Sequence, residues 1–513
     1  MLITDNFSTI LQNNPTKIAI QNDQKKITYN ELNTRINQIA NGLLSLGVIK
    51  PVKGTPKVAL LLDNGIEFLE TFLAVAKIGW IAVPFDTKWN SNEIETITHK
   101  CSPDFLITEE KYQKNLKQAG SSCLVLSFKS KNNLLKMKSL EQWIDLQSEI
   151  PPKLEITKDS LFYMGFTSGT TGNPKAFVRS HHSWVESFKG GNIEFECSSN
   201  DRVLVLGPLV HSLFLYAAIH TLFIGGHVTL LTKFSPTKTL EILEHESISV
   251  IYFVPTMFEA IHQSSKKNPN IAEYSLQTVI SSGAKWSPKS KQHLKEIFPN
   301  VNMYEFYGAS ELSFVTILDP KGNEERPDSV GRPFHNVKIE LRDPNNQVVK
   351  DGEVGKLYVQ SEYIFSGYYQ NEAETALVIK DGWATVGDMA VVDKDGYITI
   401  VGREKNMIIY GGLNIYPEEV EKILLHLPEI DEVIVIGVSD SYWGEKITCV
   451  VKFKENQLLS DRELKAYCRK HLAAYKCPRD IVTVDFFPYT SSGKIARKRL
   501  KDWLENGMND YYE

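Results

Sequence analysis

Leu161-Phe-Tyr-Met-Gly-Phe166 runs straight into Thr167-Ser-Gly-Thr-Thr-Gly-Asn-Pro-Lys175, an apolar run that ends in hydroxyls, glycines and a lysine. The apolar part reads as a buried strand and the polar part as a loop shaped to grip phosphates. Gly169 and Gly172 let backbone N–H groups approach an anion, Thr167, Ser168, Thr170 and Thr171 offer further hydrogen bonds, and Lys175 supplies a point charge. A nucleotide polyphosphate suits such a loop; a Ser/Thr/Gly-rich surface loop is the other reading of the segment by itself. The Walker spacing is excluded, because Pro174 stands where its second glycine belongs and Ala176 where its final hydroxyl belongs.

Outward from this stretch, strands and helices alternate. Lys26-Ile-Thr28 reads as a strand before the capping box Thr28-x-x-Glu31, and Leu32, Ile36, Ile39, Leu43 and Leu44 follow at helical spacing. Lys57-Val-Ala-Leu-Leu-Leu62 and Trp80-Ile-Ala-Val-Pro84 read as buried strands on either side of a helix over Phe68 to Ala76. The alternation continues to about Tyr252, the pattern of doubly wound parallel sheets. Between Gln118 and Lys158 polar and lysine-rich stretches predict a surface connection. From 336 to 401 short strands with turn signals predict a small β-rich subdomain, and after Gly402 a compact α+β segment follows, its first helix announced by Pro417-Glu418-Glu419. The expected fold class is therefore α/β: a large N-terminal domain of doubly wound sheets with a β-rich subdomain, then a small α+β C-terminal domain.

A chain of 513 residues with 42% hydrophobic content is long enough for several cores. Its formal charge of −5 argues against a nucleic-acid partner, which normally shows as a strongly basic domain, and favours small molecules. The six cysteines have no Cys-x-x-Cys pair and no zinc-ligand spacing, so they are expected reduced. The first residues lack a signal peptide's positive start and apolar core, and Ser212 to Ile224 is too short to span a bilayer; a cytoplasmic protein with a buried helix there is expected.

Several further motifs follow in order: Pro208-Leu-Val-His211, Ser281-Ser-Gly-Ala284, Tyr307-Gly-Ala-Ser-Glu311, Gly387-Asp388, Gly402-Arg-Glu-Lys405, Gly411-Gly412 and Pro488-Tyr-Thr-Ser-Ser-Gly-Lys494. With the Thr167–Lys175 loop they span nearly the whole chain, which resembles the adenylate-forming superfamily of acyl-CoA synthetases, luciferases and peptide-synthetase adenylation domains. The resemblance implies that a carboxylate attacks the α-phosphate of ATP to give an acyl-adenylate and pyrophosphate, and that a thiol then displaces AMP, with ATP, Mg2+ and CoA as the small molecules required. It also implies residue roles. Thr167, Ser168, Gly169, Thr170, Thr171, Gly172 and Lys175 match the loop that holds the departing phosphates. Ser282, Gly283, Ala284, Tyr307, Gly308 and Ser310 match nucleotide-site positions, Tyr307 being the one that stacks on adenine. Glu311 matches the Mg2+ ligand, Asp388 and Arg403 match groups on the ribose, and Lys494 matches the lysine that bridges α-phosphate and substrate carboxylate. Lys405 matches a hinge between domains 1–402 and 403–513, the second of them mobile, and Gly411 and Gly412 match a loop beside the pantetheine tunnel. His211 matches a position that gates the acyl pocket, although Ser212-Leu213-Phe214 departs from the patterns usual after it, and a core histidine is the alternative. Ala176, Ser310 and Val386 are further departures, each small or isosteric.

The resemblance implies that amino-acid-activating members hold the substrate's α-ammonium with an aspartate near the histidine motif; between Pro208 and Tyr216 no acidic residue is present, so a simple carboxylic acid is expected. Leu209, Val210, Leu213, Phe214, Leu215, Leu312 and Phe314 suit an acyl chain, favouring a medium- or long-chain fatty acid over an aryl acid. For the acceptor, CoA is expected, its phosphates met by Lys465, Arg469, Lys470, Lys476 and Arg479 unless these form a solvated helix face. A carrier-protein phosphopantetheine is the rival acceptor, and a second copy of the chain a further candidate partner. A non-catalytic acyl-nucleotide-binding relative is disfavoured, since Lys494, Glu311 and Asp388 are all present.

Overall fold

Thr28 accepts a hydrogen bond from the backbone of Glu31 while the Glu31 side chain returns to the backbone of Thr28, so the helix Tyr29–Leu46 starts where the capping box predicts. The same device opens Ser91–Cys101 through Asn90 and Glu93, and Asp461–His471 through Ser460 and Glu463. These elements belong to a computed structural model that describes residues 1–47, 54–116, 123–128, 140–167, 174–266, 274–411, 413–489 and 495–506. Packing divides the chain into two compact units. One comprises Met1–Thr167, Ala176–Lys338 and Val359–Ala384; the other comprises Ile339–Tyr358 and Thr385–Glu513, with the stretch that closes on Lys175. A boundary set by packing in one conformation and a hinge set by motif are different quantities.

In the first unit the described residues form a nine-stranded sheet in the order Arg332–Pro333, Ser313–Leu318, Asn302–Ala309, Thr278–Ser281, Val250–Phe253, Arg202–Val205, His227–Leu230, Ile18–Gln21 and Lys26–Thr28. The strands from Asn302–Ala309 through Ile18–Gln21 run parallel, with antiparallel pairs closing both ends. After His227–Leu230 the chain crosses back over Arg202–Val205 to form Val250–Phe253 on the other side, so the strand order reverses there. Such a switch point leaves a crevice at the carboxyl ends of the strands. A second sheet of seven described strands, in the order Gly367–Tyr368, Lys175–Ser180, Leu161–Thr167, Ile81–Pro84, Lys57–Leu61, Phe105–Glu109 and Leu124–Phe128, carries the opening apolar run near its middle. Strands such as Lys57–Leu61 and Val250–Phe253 are buried at every position, as sheets covered on both faces require.

Among its described residues, the connection expected between 118 and 158 contains two elements. Leu124–Phe128 pairs in parallel with Phe105–Glu109, and Leu140–Asp145 is a helix. Both are short and set among polar residues, so periodicity alone passes over them; the helix is held by Trp143, which packs against Gly42, where an added Cβ would lie 2.5 Å from the indole.

In the second unit the long antiparallel pair Ile430–Asp440 and Gly444–Phe453 organises the fold. Its side chains alternate as a strand must. Val433 and Val435 face a core shared with Val420, Leu424 and Leu464, whereas Ile434, Ile436 and Val438 face Leu500 and Trp503 of the helix Arg497–Glu505. Gly355–Gln360, Asp388–Val392 and Ile398–Arg403 form the short antiparallel strands expected of the β-rich stretch. Among the described residues no helix is long and apolar enough to cross a membrane, and Ser212–Phe223 is a buried helix.

Candidate active site

The parallel strands Arg202–Val205, Thr278–Ser281 and Asn302–Ala309 all end on one edge of the nine-stranded sheet; His211 and Ser282-Gly283-Ala284 lie in the loops that leave the first two, while Tyr307 to Ala309 end the third and Ser310 and Glu311 follow it. Residues far apart in sequence are thus placed along one edge by sheet topology alone. Ser282 Oγ donates to the carbonyl of Phe306 at 2.9 Å, tying the second loop to the residue before Tyr307. Gly283 has φ +90°, a left-handed conformation that favours glycine, and Gly283 and Ala284 are exposed.

Tyr307 and Gly308 lie at a register shift, after which the chain turns tightly through Ser310 and Glu311 into Ser313–Leu318. A Cβ on Gly308 would lie 2.0 Å from the carbonyl oxygen of Ser313, so only glycine lets the two backbones approach. The turn delivers Glu311 to a nearly buried position, 9% exposed. Its Oε1 accepts a hydrogen bond from Tyr368 Oη at 2.7 Å, and its backbone carbonyl accepts from the N–H of Phe365 at 2.9 Å. Burial and the neighbouring carboxylate push the Tyr368 phenol well above its usual range, which keeps it a donor. Arg179, also buried, donates to the carbonyl of Ser310 at 3.1 Å, to that of Tyr363 at 2.5 Å and to Ser183 Oγ at 3.2 Å. Burial lowers its pKa to about 10, opposed by Tyr163 and Glu311.

Tyr368 and Arg179 had no place among the motifs. Arg179 signals itself as a charge inside the strand Lys175–Ser180, where a buried sheet otherwise admits apolar residues; Tyr368, paired in register with Phe177, gives no such signal. The carboxylate of Glu311 fits Mg2+: it is a hard oxygen donor fixed by a phenol, and Mg2+ is usually bound through one or two carboxylates with water and substrate phosphates completing its octahedron.

His211 holds the N-cap position of the helix Ser212–Phe223 in an extended conformation, φ −92° and ψ 131°, and the residue is exposed. Desolvation by neighbouring atoms lowers its pKa, Asp86 opposing and Lys88 reinforcing the shift. The residue is exposed, so it is not a core histidine. Its loop is stapled by Asn64, which donates to the carbonyl of Gly207 at 2.7 Å and accepts from the N–H of Leu209 at 2.8 Å. Of the apolar residues expected to meet an acyl chain, Leu209, Phe214, Leu215, Leu312 and Phe314 are buried, and Val210 and Leu213 are half-buried. Phe314 joins an aromatic cluster, with ring centroids 4.5 Å from Phe306, 4.6 Å from Phe334 and 4.9 Å from Tyr216.

In the second unit Asp388 and Arg403 face each other across an antiparallel pair, and Arg403 Nε lies 2.8 Å from Asp388 Oδ1. Asp388 is buried and Arg403 exposed. Lys405 sits exposed in the short turn of helix Glu404–Asn406, whose Glu404 pairs with Lys356 at 2.7 Å. Gly411, with φ +56°, ends the strand Ile408–Tyr410, and its N–H donates to the carbonyl of Trp443. In the cationic set, Lys476 is paired with Glu419 at 2.6 Å, Lys465 donates to the carbonyl of Arg479, and Arg479 donates to Tyr410 Oη. Thr167 ends the strand before the opening loop and Lys175 begins the strand after it. Ser168, Gly169, Thr170, Thr171, Gly172, Gly412 and Lys494 lie outside the described residues.

Comparison with known proteins bears on the same residues. The family described as AMP-binding enzyme matches residues 7–369, and that described as AMP-binding enzyme C-terminal domain matches residues 419–494. An uncharacterized acyl-CoA ligase of Bacillus subtilis (strain 168), YhfT, is 41% identical over 508 residues, 99% of each chain. A feruloyl-CoA synthase of Amycolatopsis sp is 31% identical over 491 residues, 95% of this chain and 96% of the relative. Among solved structures, o-succinylbenzoate CoA synthetase (MenE) from Bacillus subtilis, in complex with the acyl-adenylate intermediate OSB-AMP, superimposes with a TM-score of 0.84 at 25% identity over 97% of each chain. With the motifs in order and the match running end to end, the chain belongs to the AMP-binding enzymes, the adenylate-forming family in which these relatives are acyl-CoA ligases.

Proposed function

We propose that this chain is an ATP-dependent carboxylic acid:CoA ligase that works through an acyl-adenylate, with a medium- or long-chain fatty acid as substrate. The observation that carries the reading is Glu311, a nearly buried carboxylate held by Tyr368 at the sheet edge that also carries Ser282 to Ala284, Tyr307 and His211. In the first step an oxygen of the acid attacks the α-phosphorus of ATP, a C–O–P linkage forms and pyrophosphate leaves. In the second the thiol sulfur of CoA attacks the acyl carbon, the acyl C–O bond breaks and AMP leaves. Two anions must meet in the first step, so fixed donors and cations aimed at the developing charge supply the catalysis. Mg2+ held at Glu311 would neutralise phosphate charge. Lys175 and the hydroxyls before it are assigned to pyrophosphate, Tyr307 to the adenine face, Asp388 and Arg403 to the ribose, and Lys494 to the pair of reacting anions. Lys405 is assigned to a hinge between 1–402 and 403–513, so that Lys494 can leave before the thiol arrives. The reaction draws on ATP and CoA pools, and we place it in the cytoplasm.

An aryl acid is the second reading, favoured by the rings of Phe306, Phe314, Phe334 and Tyr216 clustered behind the His211 loop. A carrier-protein phosphopantetheine is the alternative acceptor, and a homodimer the alternative to a monomer. Acid-dependent ATP–pyrophosphate exchange across a panel of fatty and aryl acids, with mass detection of CoA thioesters, tests the whole reading; ADP as the product would sink it. In the same assay Lys494→Ala should abolish exchange yet still pass supplied acyl-adenylate to CoA, and Lys405→Pro should do the reverse.

A further inference from the structure

The helices Pro255–Ser265 and Pro288–Ile297 pack side by side and carry mirrored pairs, Glu259 with His262 on the first and His293 with Glu296 on the second. Residues three apart share one face of a helix. The two imidazoles face each other with ring centroids 3.9 Å apart, and His262 Nδ1 and His293 Nδ1 each lie 3.8 Å from the same oxygen, Glu259 Oε2. At 3.8 Å none of these is a hydrogen bond, and His293 Nδ1 is buried with no hydrogen-bond partner. We propose that Glu259, His262 and His293 form a Zn2+ site that clips the two helices together.

Donors bound about 2.0–2.2 Å from a tetrahedral Zn2+ stand roughly 3.3–3.5 Å apart, so each 3.8 Å gap closes by only about half an ångström when the ion enters. Nitrogen and carboxylate ligands suit the ion, with water in the fourth position. His262 Nε2 lies 3.8 Å from Glu296 Oε2, on the far side of the ring from Glu259. A small turn of the half-exposed Glu296 makes the carboxylate–histidine–metal arrangement that orients a ligating imidazole. The outer parts of Glu259 and Glu296, 36% and 54% exposed, leave an entry path. The clip would brace the second helix, which leaves the loop containing Ser282 to Ala284. A second group, His182, Glu186 and Glu362, offers a single imidazole and a carboxylate 69% exposed, so it serves as the control.

The test uses the full-length chain without an affinity tag. Zn2+ alone should bind tightly in isothermal titration and raise the melting temperature reversibly on chelation, and Co2+ alone should give the visible absorption of a tetrahedral site. Glu296→Gln should weaken Zn2+ binding about 10–100-fold, His293→Gln should lose the cobalt spectrum, and His182→Gln should change neither. Equal Zn2+ affinity in the wild type and in the His262→Gln/His293→Gln double variant overturns the proposal. If that double variant does not fold, equal affinity in His293→Gln, whose ring is nearer the surface, overturns it instead.

Discussion

Tyr368 reaches Glu311 from 57 positions away, and the 2.7 Å bond between them fixes a carboxylate that fits a hard cation. A partner that orients a metal ligand typically controls 10–100-fold in metal affinity, so Tyr368→Phe should raise the Mg2+ requirement of pyrophosphate exchange by about that factor with little loss of stability. Unchanged Mg2+ dependence would show that the phenol is structural only. The position of Glu311 could be singled out from sequence because Tyr307, Gly308 and Glu311 stand close together in the chain. Tyr368 and Arg179 could not, because their contacts are made by the pairing of Gly367–Tyr368 with Lys175–Ser180, and nothing local announces that pairing. His211 stood between two readings, and the exposure of the residue goes against the core one.

At the scale of elements, close backbone approach does what side chains cannot. The hairpin from Tyr307 to Ser313 exists because Gly308 leaves room for the Ser313 carbonyl, and a methyl group 2.0 Å from that oxygen would have to open it. Overpacking of a rigid site typically costs about 1–3 kcal/mol and occasionally more. Gly308→Ala should therefore lower the denaturation free energy by an amount in that range and raise the KM for ATP more than that for the acid, since Tyr307 and Glu311 move with the turn. Equal shifts in both KM values would disconnect the turn from the nucleotide. Capped helices and continuous apolar strands were readable in advance, as Tyr29–Leu46 and Lys57–Leu61 show. Leu124–Phe128 and Leu140–Asp145 were hidden, because a short edge strand and a two-turn helix owe their stability to neighbours, Phe105–Glu109 and Gly42, and not to their own period.

Across the first unit, four histidines are buried, His181, His220, His227 and His262, and the first three, whose pKa values fall to about 3–4, add to how the protein responds to acid. His181, His220 and His227 are 0%, 1% and 7% exposed, and burial pushes their pKa values down to about 3, about 3 and about 4. His181 Nδ1 accepts a hydrogen bond from the N–H of Ile3 and lies near the N-terminal ammonium, so a second proton would break a bond and meet a like charge. His220 has Asn192 as its partner at 2.7 Å, and His227 faces Arg202, Lys26 and Lys17 against the single carboxylate of Glu246. Because the folded pKa lies below the unfolded value near 6.5, the unfolded chain binds the extra protons first; stability is fully present above that pH and falls as pH drops towards 3–4. Each histidine contributes a slope of up to about 1.4 kcal/mol per pH unit, and the three together about 4. Buried Glu70 and Glu421 have raised pKa values and act in the opposite direction, gaining stability as pH falls through them. A difference measurement separates the contributions: between pH 7 and 5 the denaturation free energy of His220→Gln, which keeps a polar partner for Asn192, should fall less steeply than that of the wild type by up to about 1.4 kcal/mol per unit below 6.5. Parallel profiles would mean that the native protein accepts a proton at His220, and the buried neutral imidazole would be the wrong account of its acid lability.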